Sequence, residues 1–149
     1  NFNSDGQVVI AGHTEAVDRV IVLAKEKGAK RAMPLPVSAP FHCSLMIPAG
    51  ERLATVLNGI DVGEMTLPVI TNVEAAPNQD SARVREFLVK QVSAPVRWQE
   101  TIASMVELGV DRYVEIGPGK VLSGLAKRMA KGSTIQNVQN VADLSALAG

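Results

Sequence analysis

Apolar residues recur along this chain in stretches of two different periods, and the switches between them mark out its elements. After Gly6 the run Gln7, Val8, Val9, Ile10, Ala11 is short, β-branched and bounded by turn residues, which predicts a buried strand. From Thr14 the period becomes helical: Val17, Val20, Ile21 and Ala24 fall at i, i+3, i+4 and i+7. Thr14 is the expected cap, Lys25 and Lys27 suit the negative end, and Gly28 is placed to stop the helix. Residues 31–37 read as a returning strand, which Pro34 and Pro36 confine to an edge or an extended connection. The opening is therefore expected to be a small β-α-β unit.

Residues 38–48 read as a loop and a helix start, and Ser38, Pro40, His42, Cys43 and Ser44 crowd into seven positions there. A helix to about Leu57 follows, with Ala49, Leu53, Val56 and Leu57 inward and Asn58-Gly59 as its stop. Residues 67–73 offer a strand with Pro68 near its start. Ser81 is positioned to cap a helix running through Gln91, in which Val84, Phe87, Leu88 and Gln91 keep helical register. Pro95 punctuates it, and a helix from about Val96 to Leu108 closes at Gly109. Residues 113–116 read as a buried strand. Gly117-Pro118-Gly119 then turns sharply into a helix with Val121, Leu122, Leu125 and Met129 inward. Residues 135–138 form a last strand, and Asn140 caps a short terminal helix. Strands separated by helices imply crossovers, a largely parallel sheet and an α/β fold, with the seam between subdomains at residues 33–40.

A chain of 149 residues suits one compact domain, which buries roughly two thirds of its unfolded surface. Fifteen basic residues balance fifteen acidic ones, so there is no broad cationic face and nucleic acid is not an expected partner. The longest apolar run, residues 20–24, is far short of the roughly 20 residues a bilayer requires, so no membrane association is expected. One cysteine cannot form an internal disulfide, and no basic start, apolar core and cleavage site mark a signal peptide. A reducing, cytoplasmic setting fits. Asn1, Phe2 and Asn3 run straight into a strand signal without an initiator methionine, as expected of a piece of a longer protein.

His42 is the most reactive candidate, since imidazole titrates near neutrality and the residue lies in a proline-bounded loop. Adjacent Cys43 admits a thiolate nucleophile, but consecutive side chains diverge, and a small half-buried thiol is the plainer reading. His13 reads as a turn or capping residue. No spacing of His, Cys and carboxylates resembles a metal site, and no cofactor is implied. Gly117-Pro118-Gly119-Lys120 between strand and helix either presents a helix N-terminus to an anion or makes a tight turn. It matches neither the P-loop nor the dinucleotide fingerprint. Gln91 and Pro95 form a more discriminating pair. A continuing helix would send the amide hydrogen of residue 95 to the carbonyl of residue 91, and proline has none. That free carbonyl, at a helix's negative end, suits a histidine whose tautomer must be fixed, in place of the carboxylate of a Ser-His-Asp triad. Its alternative is ordinary solvent capping.

Three motifs in order carry a resemblance: Asn1-Phe2-Asn3-Ser4 with residues 6–12, Pro36-Val37-Ser38-Ala39-Pro40-Phe41-His42, and residues 115–122 from Glu115 to Leu122. Together they closely resemble malonyl-CoA:acyl carrier protein transacylases of bacterial fatty acid synthesis, over nearly the whole chain. The resemblance implies ping-pong transfer, in which a serine takes malonyl from coenzyme A and passes it to the phosphopantetheine thiol of acyl carrier protein. His42 then corresponds to the general base and acid, and Gln91 supplies the main-chain carbonyl that orients it. Asn3 is a pocket residue near the acyl group. Phe41 is the residue before the histidine, where an aromatic accompanies malonyl over methylmalonyl in related polyketide acyltransferases.

The same resemblance implies part of an α/β-hydrolase-like parallel-sheet domain with half of a small ferredoxin-like subdomain. Residues 1–37 would be the second half of the ferredoxin-like part, and 38–149 the C-terminal part of the large one. No serine here sits in a Gly-x-Ser-x-Gly elbow. Also missing are the family's glycine-glutamine loop and the arginine that pairs with the malonyl carboxylate. The implied partners are malonyl-CoA, acyl carrier protein and the N-terminal half of the same enzyme, and the chain alone is expected to be inactive. Two alternatives stand beside this: a polyketide acyltransferase with another extender unit, and a non-catalytic module that docks acyl carrier protein.

Overall fold

Asp5 and Gly6 reverse the chain before the first expected strand begins. β1 (Phe2–Ser4) and β2 (Gln7–Val8) form an antiparallel hairpin in which Ser4 faces Gln7 across this two-residue loop. Gly6 adopts a φ of 70°, which a side chain would strain. The register slips between Phe2 and Ser4, which leaves Asn3 in a bulge. The expected buried strand over 7–11 is thus two exposed residues, because β1 is its single strand partner among the described residues and Arg128 reaches it only at the Gln7 side-chain oxygen, 2.9 Å away. The structure, a computed structural model, describes residues 1–147. The last two positions of the expected 38–149 segment lie outside the described residues.

α1 (Thr14–Glu26) has the expected extent, but His13 rather than Thr14 is its N-cap, and none of its residues is buried. Gly28 closes it at φ 89°, with the amide of Ala29 returning to the carbonyl of Ala24. Residues 31–37 form no strand. Pro34 and Pro36 bring no amide hydrogens, the Val37 amide turns back to Leu35 O, and the segment runs as an exposed connection. The β-α-β unit expected at the start is therefore replaced by a hairpin, a helix and a linker.

α2 (Ile47–Leu57) follows a turn of 3-10 helix at Ser44–Met46, with Pro48 in its first turn. Gly50 lets it approach α3 (Val84–Gln91) closely, since a Cβ there would stand 3.4 Å from Val89 O. Arg85 of α3 donates through Nε to Leu57 O at 3.0 Å, and also to Ile60 O, so it closes the C-terminal end of α2. Expected inward Val56 is instead exposed. β3 (Val69–Ile70) and β4 (Pro77–Asn78) make a second antiparallel hairpin. The strand expected over 67–73 stops early because Thr71 opens a turn, receiving the amide of Ala75 at 2.8 Å. Asp80, not Ser81, caps the entry to α3, accepting from the Ala82 amide at 2.9 Å.

The packed part of the molecule lies in the last third. α4 (Trp98–Glu107) leads to β5 (Arg112–Ile116), α5 (Val121–Met129) and β6 (Thr134–Val138), and β5 pairs in parallel with β6 from Arg112–Thr134 to Ile116–Val138. This is the expected strand-helix-strand crossover. Ile102, Ala126 and Ala130 are fully buried, with Trp98, Met105, Tyr113, Met129 and Ile135 packed round them. The largely parallel sheet expected from the sequence is confined to this pair, and the other two pairs are antiparallel. β5 is also less buried than expected: Val114 and Ile116 lie with Arg112 on the face opposite Tyr113, which no element packs against among the described residues. Val121 and Leu122 are likewise exposed, while Leu125 is buried. In total 10347 Å² is accessible. A compact monomer of this mass exposes about 7,300 Å². The chain therefore leaves a large apolar surface uncovered.

Candidate active site

The loop before α2 places His42 by strain and by hydrogen bonds. His42 has a φ of 59°, a left-handed conformation uncommon for a residue with a Cβ and costing roughly 1–3 kcal/mol, which the surroundings must hold. On either side the loop is tight: the Phe41 amide donates to Ala39 O at 2.9 Å and Cys43 Sγ to Pro40 O at 3.2 Å. The thiol is thus engaged with backbone and is no partner of the imidazole, as the plainer sequence reading has it.

The half-buried His42 ring reaches the C-terminal end of α3. Its Nδ1 lies 3.0 Å from Gln91 O and 3.1 Å from Ala94 O. Carbonyl oxygens only accept, so Nδ1 carries the hydrogen that both share. In the neutral ring the lone pair is then on Nε2. Gln91 O is available for this because residue 95 is proline, and it lies where the α3 dipole is negative. The sequence pointed to Gln91 O; Ala94 O was not anticipated, since nothing local distinguishes that alanine.

The turn that follows α3 is gripped from other directions too. Asn72 Nδ2 donates to Pro95 O at 3.1 Å, and Asn72 Oδ1 accepts from the Arg97 amide at 3.1 Å. Arg97 returns a bond to Val73 O at 3.0 Å and pairs with Glu100. The Phe2 amide donates to Val96 O at 2.8 Å. β1, which carries half-buried Asn3, and the loop that carries His42 therefore hang on one turn. Phe41, beside the histidine, is half exposed. Asn72 carries no signal in the sequence, because Thr71-Asn72 falls within the strand expected over 67–73 and the turn that exposes it is set by the Thr71 carbonyl.

Gly117-Pro118-Gly119-Lys120 proves to be occupied by the chain itself. Glu115 Oε1 accepts from the Leu122 amide at 3.1 Å, and Oε2 accepts from the Ser123 amide at 2.7 Å and Ser123 Oγ at 2.5 Å. These bonds, chiefly those from Ser123, hold the Glu115 carboxyl below its ordinary range. The Gly119 amide donates to Gln139 Oε1 at 2.9 Å. The start of α5 thus already holds an anion, and the tight-turn reading stands. No cluster of His, Cys, Asp and Glu among the described residues is arranged to hold a metal, and no described helix is long and apolar enough to cross a membrane.

Residues 1–147 match the family described as "Acyl transferase domain". The chain belongs to the acyl transferase family. Malonyl CoA-acyl carrier protein transacylase of Salmonella typhimurium is 48% identical over 146 residues, which are 98% of this chain and 47% of that protein. The protein of the same name from Bacillus subtilis is 48% identical over 129 residues, 87% of this chain and 41% of its own length. The crystal structure of MCAT from Streptococcus pneumoniae superposes with a TM-score of 0.92 at 44% identity, over 99% of this chain and 48% of that one. A malonyl-transacylase in complex with a type II PKS acyl-carrier protein superposes with a TM-score of 0.90 at 48% identity, over 97% and 47%. This acyl transferase chain therefore spans about half the length of the relatives it matches, and its mixed α/β architecture is theirs.

Proposed function

We propose that this chain supplies the general base and acid for transfer of malonyl from coenzyme A to the phosphopantetheine thiol of an acyl carrier protein, through a serine acyl-enzyme. The serine, the oxyanion donors and the arginine for the malonyl carboxylate belong to the remaining half of the same protein. The observation that carries this reading is the 3.0 Å contact of His42 Nδ1 with Gln91 O in a chain of this family. A base that keeps its hydrogen on Nδ1 presents a lone pair at Nε2 in every neutral encounter.

In the first half-reaction Nε2 takes the serine hydroxyl proton as Oγ attacks the thioester carbonyl. The tetrahedral adduct collapses, the C–S bond breaks, and the coenzyme A thiolate recovers that proton from Nε2. The second half-reaction runs in the other sense: the phosphopantetheine thiol gives its proton to Nε2 and attacks the acyl-serine, and the departing serine oxygen takes the proton back. Between proton gain and loss the ring is an imidazolium, and two main-chain dipoles, both accepting from Nδ1–H, stabilise it where a triad would place a carboxylate. General acid-base help of this kind is worth roughly 10²–10⁴ in rate. Asn3 and Phe41 face the acyl group in this reading, hung on or adjoining the elements that hold the base.

The uncovered surface supports the same picture. Residues 1–37 would complete a ferredoxin-like subdomain and the rest an α/β-hydrolase-like one only when the other half packs against them, in the cytoplasm. In the complete enzyme His42→Ala is expected to lower malonyl transfer by roughly 10²–10⁴ while the protein still folds, as checked by its circular dichroism. Near-normal transfer by that variant removes His42 from the chemistry. Incubated alone with malonyl-CoA, this chain should show no malonyl adduct by intact mass. A structural relative, itself a malonyl-transacylase, is in complex with a type II PKS acyl-carrier protein, and the second reading is a polyketide acyltransferase with another extender unit in place of malonyl. Competition of malonyl-CoA against methylmalonyl-CoA separates the two.

A further inference from the structure

We infer that Asn72 is a positioning residue for the His42 ring, acting through the turn at residues 92–97. The inference rests on the reading of His42 as the base. Asn72 grips the backbone with both ends of its amide, donating to Pro95 O and accepting from the Arg97 amide, each at 3.1 Å. It thereby pairs with residues i and i+2 as an adjacent strand does. Arg97 answers by donating to Val73 O, so the loop between β3 and β4 and the turn after α3 brace each other in both directions.

The connection from this brace to the ring is short. Ala94 C=O and the Pro95 nitrogen share one rigid peptide plane, and the proline ring locks the next torsion. Only ψ of Pro95 is left soft between the Ala94 carbonyl, which accepts from His42, and the Pro95 carbonyl, which Asn72 holds. Pinning Pro95 O and Arg97 N to one amide fixes the two torsions of Val96 and holds the Pro95–Val96 peptide plane, so a single torsion separates this held plane from the Ala94 carbonyl. Without Asn72 the Ala94 carbonyl is free to swing away from Nδ1, and the ring loses one of two acceptors. The neighbouring Glu74 differs in kind: its carboxylate bonds to Arg83 at 2.6 Å and acts on Arg97 of the turn through charge alone, with no hydrogen bond shown to the turn or the ring.

The test compares Asn72→Ala, Asn72→Asp, Glu74→Ala and His42→Ala in the complete enzyme. It measures kcat, KM for malonyl-CoA, the melting temperature, and the ring nitrogen shifts of ¹⁵N-labelled His42, assigned by their loss in His42→Ala. Asn72→Ala should lower kcat by roughly tenfold to a hundredfold with KM within about twofold, and the nitrogen shifts should move from a single Nδ1–H tautomer towards a mixture. Asn72→Asp keeps the size and the acceptor for Arg97 but sets oxygen against Pro95 O, and should show both effects; it carries the test if the alanine variant fails to fold. Glu74→Ala should lower the melting temperature and leave kcat and the shifts unchanged. Wild-type kcat with unmoved shifts in the folded Asn72 variants overturns the inference, as does a loss of kcat that Glu74→Ala reproduces at equal melting temperature. An inactive His42→Ala beside fully active Asn72 variants sinks only this inference, whereas an active His42→Ala sinks the underlying reading.

Discussion

α1 and α5 each carry an apolar stripe at helical spacing, yet they end in different surroundings. α5 buries Leu125 and Ala126 among α4, β5 and β6, while no residue of α1 is buried: on its stripe Val20 is exposed and Val17, Ile21 and Ala24 are half-buried, and Val22 and Leu23 beside it are exposed. The stripe is therefore a request for a partner surface, which this chain meets in the C-terminal third and, through Leu57 and Phe87, between α2 and α3, but not at α1. A helix's inward face can be read from its period; what lies opposite is a property of the whole assembly. The bare side of α1 and the outer side of β5 are apolar ground with no packed neighbour among the described residues.

The comparison can be broken at its strongest point. Ile102→Ala, in the one large side chain that is fully buried among the described residues, should cost about 2–5 kcal/mol in urea unfolding of the chain. A cost near that of a surface change would show that the packed third is no core. Gly28→Ala is next. It meets no atoms but sits at φ 89°, so it should weaken the end of α1 by about 1–2 kcal/mol, read as faster amide exchange in its last turn. Glu115 supplies a pH probe of the packed third. Its folded carboxyl is held below the unfolded value, so its stabilisation is present above the ordinary carboxylate range and is lost as pH falls through the folded value. Thermal midpoints should drop on acidification, and Glu115→Gln should flatten part of that fall. Smallest of all, Leu23→Ala on exposed α1 should lie within about 0.5 kcal/mol of the parent chain alone. A larger loss would mean that α1 is already packed.

Local rules served well where local forces decide. The spans of α1, α2 and α5, the parallel β5–β6 crossover and the stops at Gly28 and Gly109 all lie close to where apolar period and glycine placed them. They failed where a short turn outvoted a β-branched run, as at Asp5-Gly6 and at Thr71, and where prolines left residues 31–37 without donors for a ladder. The candidate site was half legible. Pro95 betrays the free carbonyl of Gln91 because its missing hydrogen is a fact of covalent structure, and the ring indeed lies 3.0 Å from that oxygen. Ala94 and Asn72 stayed hidden, since their contacts span 52 and 23 residues and leave no periodic trace.

Both acceptors of the His42 ring are main-chain oxygens, and this has a genetic consequence. Every amino acid brings the same oxygen, so Gln91→Ala deletes nothing the imidazole touches, and a saturation screen should score position 91 as permissive. Intolerance should surface instead at Pro95, whose replacement supplies an amide that competes for the oxygen at 91. What such a screen maps is the shape of the chain, with the alphabet at the receiving atoms left free to drift.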